Sequence, residues 1–107
     1  MIIVTTDQIE GMRITKSLGL VRGSTIRARH LGKDVMAAFR NIVGGEITEY
    51  TKLLAESREQ SIKRMTDEAE SLGANAIVAT RFVTSMVMSG AAELLVYGTA
   101  VMVEEAN

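Results

Sequence analysis

Two groups of side chains in this 107-residue chain carry recognisable chemistry. The first is basic. Arg27, Arg29 and His30 lie within four residues, inside a stretch from Arg13 to Arg40 that holds Arg13, Lys16, Arg22, Arg27, Arg29, Lys33 and Arg40 against the single acid Asp34. Guanidinium groups recognise phosphate and carboxylate bidentately. Arg27 and Arg29, two apart on one strand face, with His30 beside them, therefore form a candidate site for an anion or small ligand. The competing reading pairs these bases between subunits with an acidic helix face or with Glu104 and Glu105. The second group is soft. Met86 and Met88 are also two apart, which on an unbroken strand puts two thioethers on one face, a donor set that Cu(I) accepts. The plain alternative is that they fill a core or an interface, as methionine commonly does.

Much other chemistry is excluded. The chain has no cysteine, so disulfides, thiolate zinc sites, iron–sulfur clusters and thiol nucleophiles are absent. One histidine cannot close a metal site, although a ring would supply one copy from each subunit. No Ser–His–Asp order, nucleophile elbow, Walker pattern or dinucleotide fingerprint appears, so the expectation is a non-enzyme with no catalytic residue and no cofactor. The competing class is an enzyme with an interfacial site built from Arg40, Glu49 and Tyr50. A net charge of −1 and 4% aromatics argue against nucleic acid. The absence of a long apolar run argues against a membrane span, and the N-terminus lacks the features of a signal peptide, so the expected compartment is the cytoplasm.

These residues need elements to place them. Ile2 to Val4 reads as a short strand and Ile14 to Arg29 as a long one, with Gly19 and Gly23 as bend or bulge points. Asp34 to Val43 has helical spacing and ends at the Gly44–Gly45 turn. A long helix is predicted from about Ile47 to Leu72. Its apolar face is marked by Ile47, Tyr50, Leu54, Met65, Ala69 and Leu72, and Lys52–Glu56, Glu59–Lys63 and Arg64–Glu68 are opposite-charge pairs on its outside. Gly73 stops it. Between Leu54 and Met65 the inner stripe runs through Ser57 and Ser61, small enough to admit a neighbouring backbone. A hairpin follows: Ala76 to Met88, a turn at Ser89 to Ala92, and Glu93 to Val103, with Glu104 to Asn107 as a polar tail. The order implies one α+β domain over residues 1–107, two-layered, with one short and one long helix on a mainly antiparallel sheet.

Two misfits suggest an oligomer. A 26-residue helix is about 39 Å long, beyond the roughly 34 Å diameter of a compact chain of this size. Both faces of the hairpin are also apolar. In the last strand Leu94, Val96, Ala100 and Met102 oppose Leu95, Tyr97, Val101 and Val103. In the preceding one Val78, Phe82, Met86 and Met88 oppose Ile77, Ala79, Val83 and Val87. A sheet with one wet face should alternate apolar and polar residues. The uncovered face is therefore expected to meet a second copy of the chain.

The segments LGLVRGST (Leu18 to Thr25), FRNIVGG (Phe39 to Gly45), SLGANAIV (Ser71 to Val78) and YGTAV (Tyr97 to Val101) resemble the YbjQ-type family of small prokaryotic proteins, which carries a heavy-metal-binding label but no established function. The resemblance implies a dodecin-like subunit in a ring, a homopentamer, and hands over no catalytic residue. Gly98 is expected to bend the final strand or to admit a neighbour's backbone.

Overall fold

A computed structural model describes residues 1–28, 48–88 and 91–107. Its strands are β1 (Ile2–Ile3), β2 (Met12–Ala28), β3 (Ala76–Met88) and β4 (Ala91–Glu105), and one described helix, α1, spans Thr48–Ser71. The sheet order is β1-β3-β4-β2, with β1 parallel to β3 and the other two pairings antiparallel. The fold is α+β, as expected. The short helix expected at Asp34 to Val43, and the turn at Gly44 and Gly45, lie outside the described residues.

The long helix forms where the sequence places it, and the middle of its expected inner stripe is the part that is buried. Ser57, Ser61, Met65 and Ala69, each four residues on, are fully buried, whereas Leu54 and Leu72 stand exposed. The cause lies across the layer in β2. A Cβ at Gly23 would come within 2.0 Å of the Ser61 carbonyl oxygen and 2.6 Å of the Met65 nitrogen. Backbone meets backbone there, so only small residues fit on the facing turns. Two hydroxyls at this contact are bonded: Thr25 Oγ1 donates to the Ser57 carbonyl at 3.3 Å and lies 3.2 Å from Ser61 Oγ, which donates to the Leu94 carbonyl at 3.1 Å. Gly23 was expected to bend its strand; instead it seats the helix. Gly19, with φ of +107°, lies where the β2–β4 register shifts.

Gly73 stops α1 as expected. Its φ is +85°, its N–H donates to the Glu70 carbonyl, and the Ala74 N–H reaches back to Ala69, the paired bonds of a Schellman end. Asn75 then extends the ladder through its side chain, accepting from Val103 N–H at 2.8 Å and donating to the Val103 carbonyl at 2.9 Å. On the described helix the ion pair that forms is Lys63–Asp67, while Arg64 turns to the Ser24 carbonyl.

The core has two parts. Val21, Met65, Ala69, Ala74, Ile77, Val96 and Ala100 pack between helix and sheet. On the far face Ala76, Val78, Val101 and Val103 are covered by Val4, Ile9 and Met12 of the N-terminal segment. That cover extends over only one end.

β3 departs from the simple alternation assumed for it. Val78 pairs with Thr99 but Arg81 pairs with Tyr97, so two residues, Ala79 and Thr80, stand opposite Gly98. Ala79 takes φ of +54°, and a Cβ at Gly98 would meet Ile77 Cγ2 at 2.7 Å and the Val78 carbonyl at 3.0 Å. Gly98 thus admits a bulge of its own chain. Beyond the bulge the faces exchange: Arg81, Val83 and Ser85 share the face of Val78, and Phe82, Thr84 and Met86 share the face of Ile77. Ala91 and Ala92, expected in the turn, and Glu104 and Glu105, expected in the tail, belong to β4.

The strands are long. At about 3.3 Å per residue the 17 residues of β2 reach about 56 Å, matching a molecule of 57 × 26 × 17 Å. The helix, about 36 Å for its 24 residues, therefore does not overreach its domain; the sheet outreaches the helix. Gly23→Ala should destabilise the protein by about 3 kcal/mol through overpacking. Gly11→Ala, in open space but at positive φ, should cost only about 1 kcal/mol. Urea unfolding at a fixed protein concentration compares the two, and equal losses would contradict the backbone contact.

Candidate functional site

One member of each group of chemical interest lies at the same end of the sheet. Arg27 on β2 pairs with Ala92 on β4, and Ala92 pairs with Met86 on β3, so Arg27 and Met86 occupy a single cross-strand row. Two strand spacings, about 9–10 Å, separate their backbones. Fifty-eight intervening positions in the chain are bridged by the antiparallel pairing of β2 and β3 with the same strand. Arg29, His30 and Arg40 lie outside the described residues. Glu49 and Tyr50 fall in the first turn of α1.

The thioether pair read from the sequence does not keep its premise. Met86 aligns with Ala92 and Met88 with the adjacent Ala91, because the register shifts between them. Successive residues of β4 belong to opposite faces, so a spacing of two in β3 does not place Met86 and Met88 in one row-face here. Met86 is 71% exposed. Among the described residues no group of three or more His, Cys, Asp or Glu could hold a metal ion.

A second row was not foreseen. Arg22 pairs with Tyr97, and Tyr97 pairs with Arg81, so two arginines flank a tyrosine on the sheet face away from the helix. Both arginines are exposed and Tyr97 is half-buried. Simple alternation sets Arg81 on the opposite face; only the Ala79–Thr80 bulge brings it round. The one sequence signal for that bulge is Gly98 within a β pattern, since glycine there marks a bulge or a close backbone approach.

The basic stretch is partly neutralised within the chain itself. Arg13 forms an ion pair with Glu104, its cross-strand partner. The acidic end that was expected to pair between subunits is in this instance used at home. Arg22 makes neither a hydrogen bond nor an ion pair among the described residues.

Comparison with known proteins places these features in a family. Residues 1–104 match the YbjQ family model, described as "Putative heavy-metal-binding". The chain is similar to a UPF0145 protein of Methanosarcina acetivorans, with 62% identity over 103 residues covering 96% of this chain and 97% of that one. A UPF0145 protein of Clostridioides difficile is 57% identical over 107 residues, covering 100% and 96%. A crystal structure of a protein of unknown function in the DUF74 family, from Pediococcus pentosaceus, superposes with a TM-score of 0.64 at 15% identity, covering 97% of this chain and 98% of that one. That likeness concerns the fold.

The Arg13–Glu104 pair is solvent-exposed, where ion pairs contribute little. Glu104→Gln should lower stability by less than about 1 kcal/mol in dilute buffer, and the difference should vanish in 1 M NaCl. Thermal unfolding at the two salt concentrations measures it.

Proposed function

The chain belongs to the YbjQ-type family, and from that starting point we propose that it is a cytoplasmic, non-catalytic protein that assembles into a closed homo-oligomer, a homopentamer, and holds a small anion or metal ion at its subunit boundaries. The observation that carries this reading is apolar surface that the described residues leave uncovered. On the face away from the helix Leu20 is 63%, Ile26 57% and Val83 43% exposed; on the helix side, beyond the reach of α1, Phe82 is 47% and Met86 71% exposed. Exposed apolar surface marks interaction sites, and its burial is favourable by about 25 cal/mol per Å².

Shape and strand edges support the same reading. A compact chain of this length has a radius of gyration of about 13 Å, whereas this one measures 17.4 Å. The two outer strands differ at their edges. β2 carries Arg13, Lys16, Arg22 and Arg27, together with register shifts at Ile14/Lys16 and Ser17/Gly19, features that discourage edge-to-edge pairing. β3 from Phe82 to Met88 contains no charge, glycine or proline, and among the described residues its outer edge has no partner strand past the bulge. Two unlike edges suit a head-to-tail contact, which closes into a ring when the rotation allows.

Of the two ligand classes, the anion has the better donors. The basic stretch supplies several guanidiniums, Arg27 among them, and the described residues supply no metal-ligating cluster. Arg27, Arg29 and His30 remain the residues to test for an anion, with Met86 and Met88 the residues to test for a soft metal.

Native mass spectrometry of protein purified without added ligand should give five copies of the 11.6-kDa chain, with any retained ligand visible as added mass. Ile26→Lys should lower the mass to that of one chain while retaining the circular dichroism of the parent, because a substitution at an exposed position of the subunit alters folding by only about 0.5 kcal/mol. A wild-type protein that runs as a monomer would sink the assembly reading. For the metal, Cu(I) should raise the thermal midpoint of the wild type and not of Met86→Leu; equal responses remove the thioether from the site.

A further inference from the structure

The Arg22–Tyr97–Arg81 row asks for an explanation that subunit packing alone does not supply. On β2 it is flanked by Leu20 and Ser24, on β4 by Leu95 and Thr99, and on β3 by Val78 and Val83. These neighbours are apolar or hydroxyl-bearing. The nearest carboxylate on this face of the sheet, Glu93, belongs to the row of Ile26 and Ser85, two rows further on, or about 13 Å along the strand. Neither Arg22 nor Arg81 has a carboxylate partner among the described residues. Two positive charges thus stand on an apolar face, one strand away on either side of a tyrosine, with no ion-pair partner among the described residues.

Arg81 is also held in place. One terminal guanidinium nitrogen donates to the Thr5 carbonyl at 2.7 Å and to the Thr80 carbonyl at 2.9 Å. Thr5 is brought to that spot by the N-terminal segment, which bonds the bulge through Thr80 N–H to Val4 O and Ala79 N–H to Thr6 O. The bulge therefore does two things together: it turns Arg81 onto this face and supplies the carbonyl acceptors that fix it. A guanidinium anchored through one nitrogen keeps its remaining N–H donors for a ligand at a reduced ordering cost. The backbones of Arg22 and Arg81 lie two strand spacings apart, about 9–10 Å, a gap within the combined reach of two arginine side chains.

From these observations we infer that Arg22, Arg81 and Tyr97 form a binding site for a small organic anion, a phosphate or carboxylate carried on an apolar or aromatic body. The two guanidiniums take the anionic group through charge-assisted hydrogen bonds. Tyr97, Leu95 and Val83 offer the apolar body a surface on which to rest. The site is separate from the tip row of Arg27, and it deepens the anion-binding reading by naming residues and ligand class. If this face meets a second copy, the bound anion also supplies the countercharge without which burying two guanidiniums is costly.

The test uses the full chain and three probes: phenyl phosphate, benzoate and inorganic phosphate. Calorimetric titration gives affinities, and native mass spectrometry on the same samples gives the number of subunits. Phenyl phosphate or benzoate should bind the wild type more tightly than inorganic phosphate, and whichever of the two binds better identifies the anionic group. Arg22→Gln and Arg81→Gln should each weaken that binding at least ~10-fold, the effect of losing one charge-assisted hydrogen bond, while Arg13→Gln should leave it unchanged. Wild-type protein that binds none of the probes, or Arg22→Gln and Arg81→Gln that bind them as the wild type does, overturns the site. Variants that lose subunits while their affinity holds overturn it too, because the arginines would then be serving carboxylates of a second copy. Since mass and affinity are read separately, a monomeric wild type that still binds refutes the assembly and leaves the site standing.

Discussion

The arrangement of this protein depends on one contact: the backbone of α1 resting on the backbone of β2 at Gly23. With no Cβ at that position the Ser61 carbonyl and the Met65 nitrogen approach as closely as the sheet permits. Everything on the facing turns follows. Ser57 and Ser61 are small and buried, the Ser57 carbonyl is tied to Thr25 and the Ser61 hydroxyl to Thr25 and Leu94, and Met65 and Ala69 continue the stripe into the apolar core. A helix seated so closely covers β2 and β4 and leaves the distal half of β3 bare. The same contact that orders the subunit therefore determines which surface it leaves unsatisfied.

A second constraint works across the sheet. The bulge at Ala79 and Thr80 fits because Gly98 lies opposite it, and the N-terminal segment bonds to it on its open side. Before the bulge, β3 contributes to two cores, one on each face. After it, the faces exchange and cover runs out. One end of the molecule is thus a conventional two-layer core with an additional N-terminal cover, and the other is a long ribbon bearing arginines, methionines and exposed aliphatic side chains. Stability resides at the first end, and the chemical groups are concentrated towards the second. A division of this kind suits a subunit whose function lies where copies meet.

The long helix, its Gly73 stop, the two strands that flank it and the α+β class were all legible in the sequence, because each rests on local signals: charge and apolar spacing at four residues, a glycine at positive φ after the last turn, β-branched runs. The final strand's two faces were also legible, since β4 alternates without interruption from Leu94 to Val101. The candidate site was legible only in part. Arg27 and Met86 could be named as chemical groups, but nothing along the chain indicated that they share a row. The pairing of Met86 with Met88, and the faces assigned to Phe82 and Val83, failed for one reason. Period-two reasoning carries no memory of an inserted residue, and alanine at positive φ leaves no mark in composition.

The sequence by itself determined which segments would be helix and strand, because those choices are settled by interactions within a few residues, and it determined the chemical repertoire, because an absent cysteine or a lone histidine needs no structure to be counted. Tertiary structure alone decided how far the helix's inner stripe is buried, which face each β3 residue takes and which arginines stand together. Those outcomes turn on contacts between positions far apart in the chain, Gly23 with Ser61 and Gly98 with the Ala79 bulge, where the fit of one backbone against another outweighs the pattern of side chains along either.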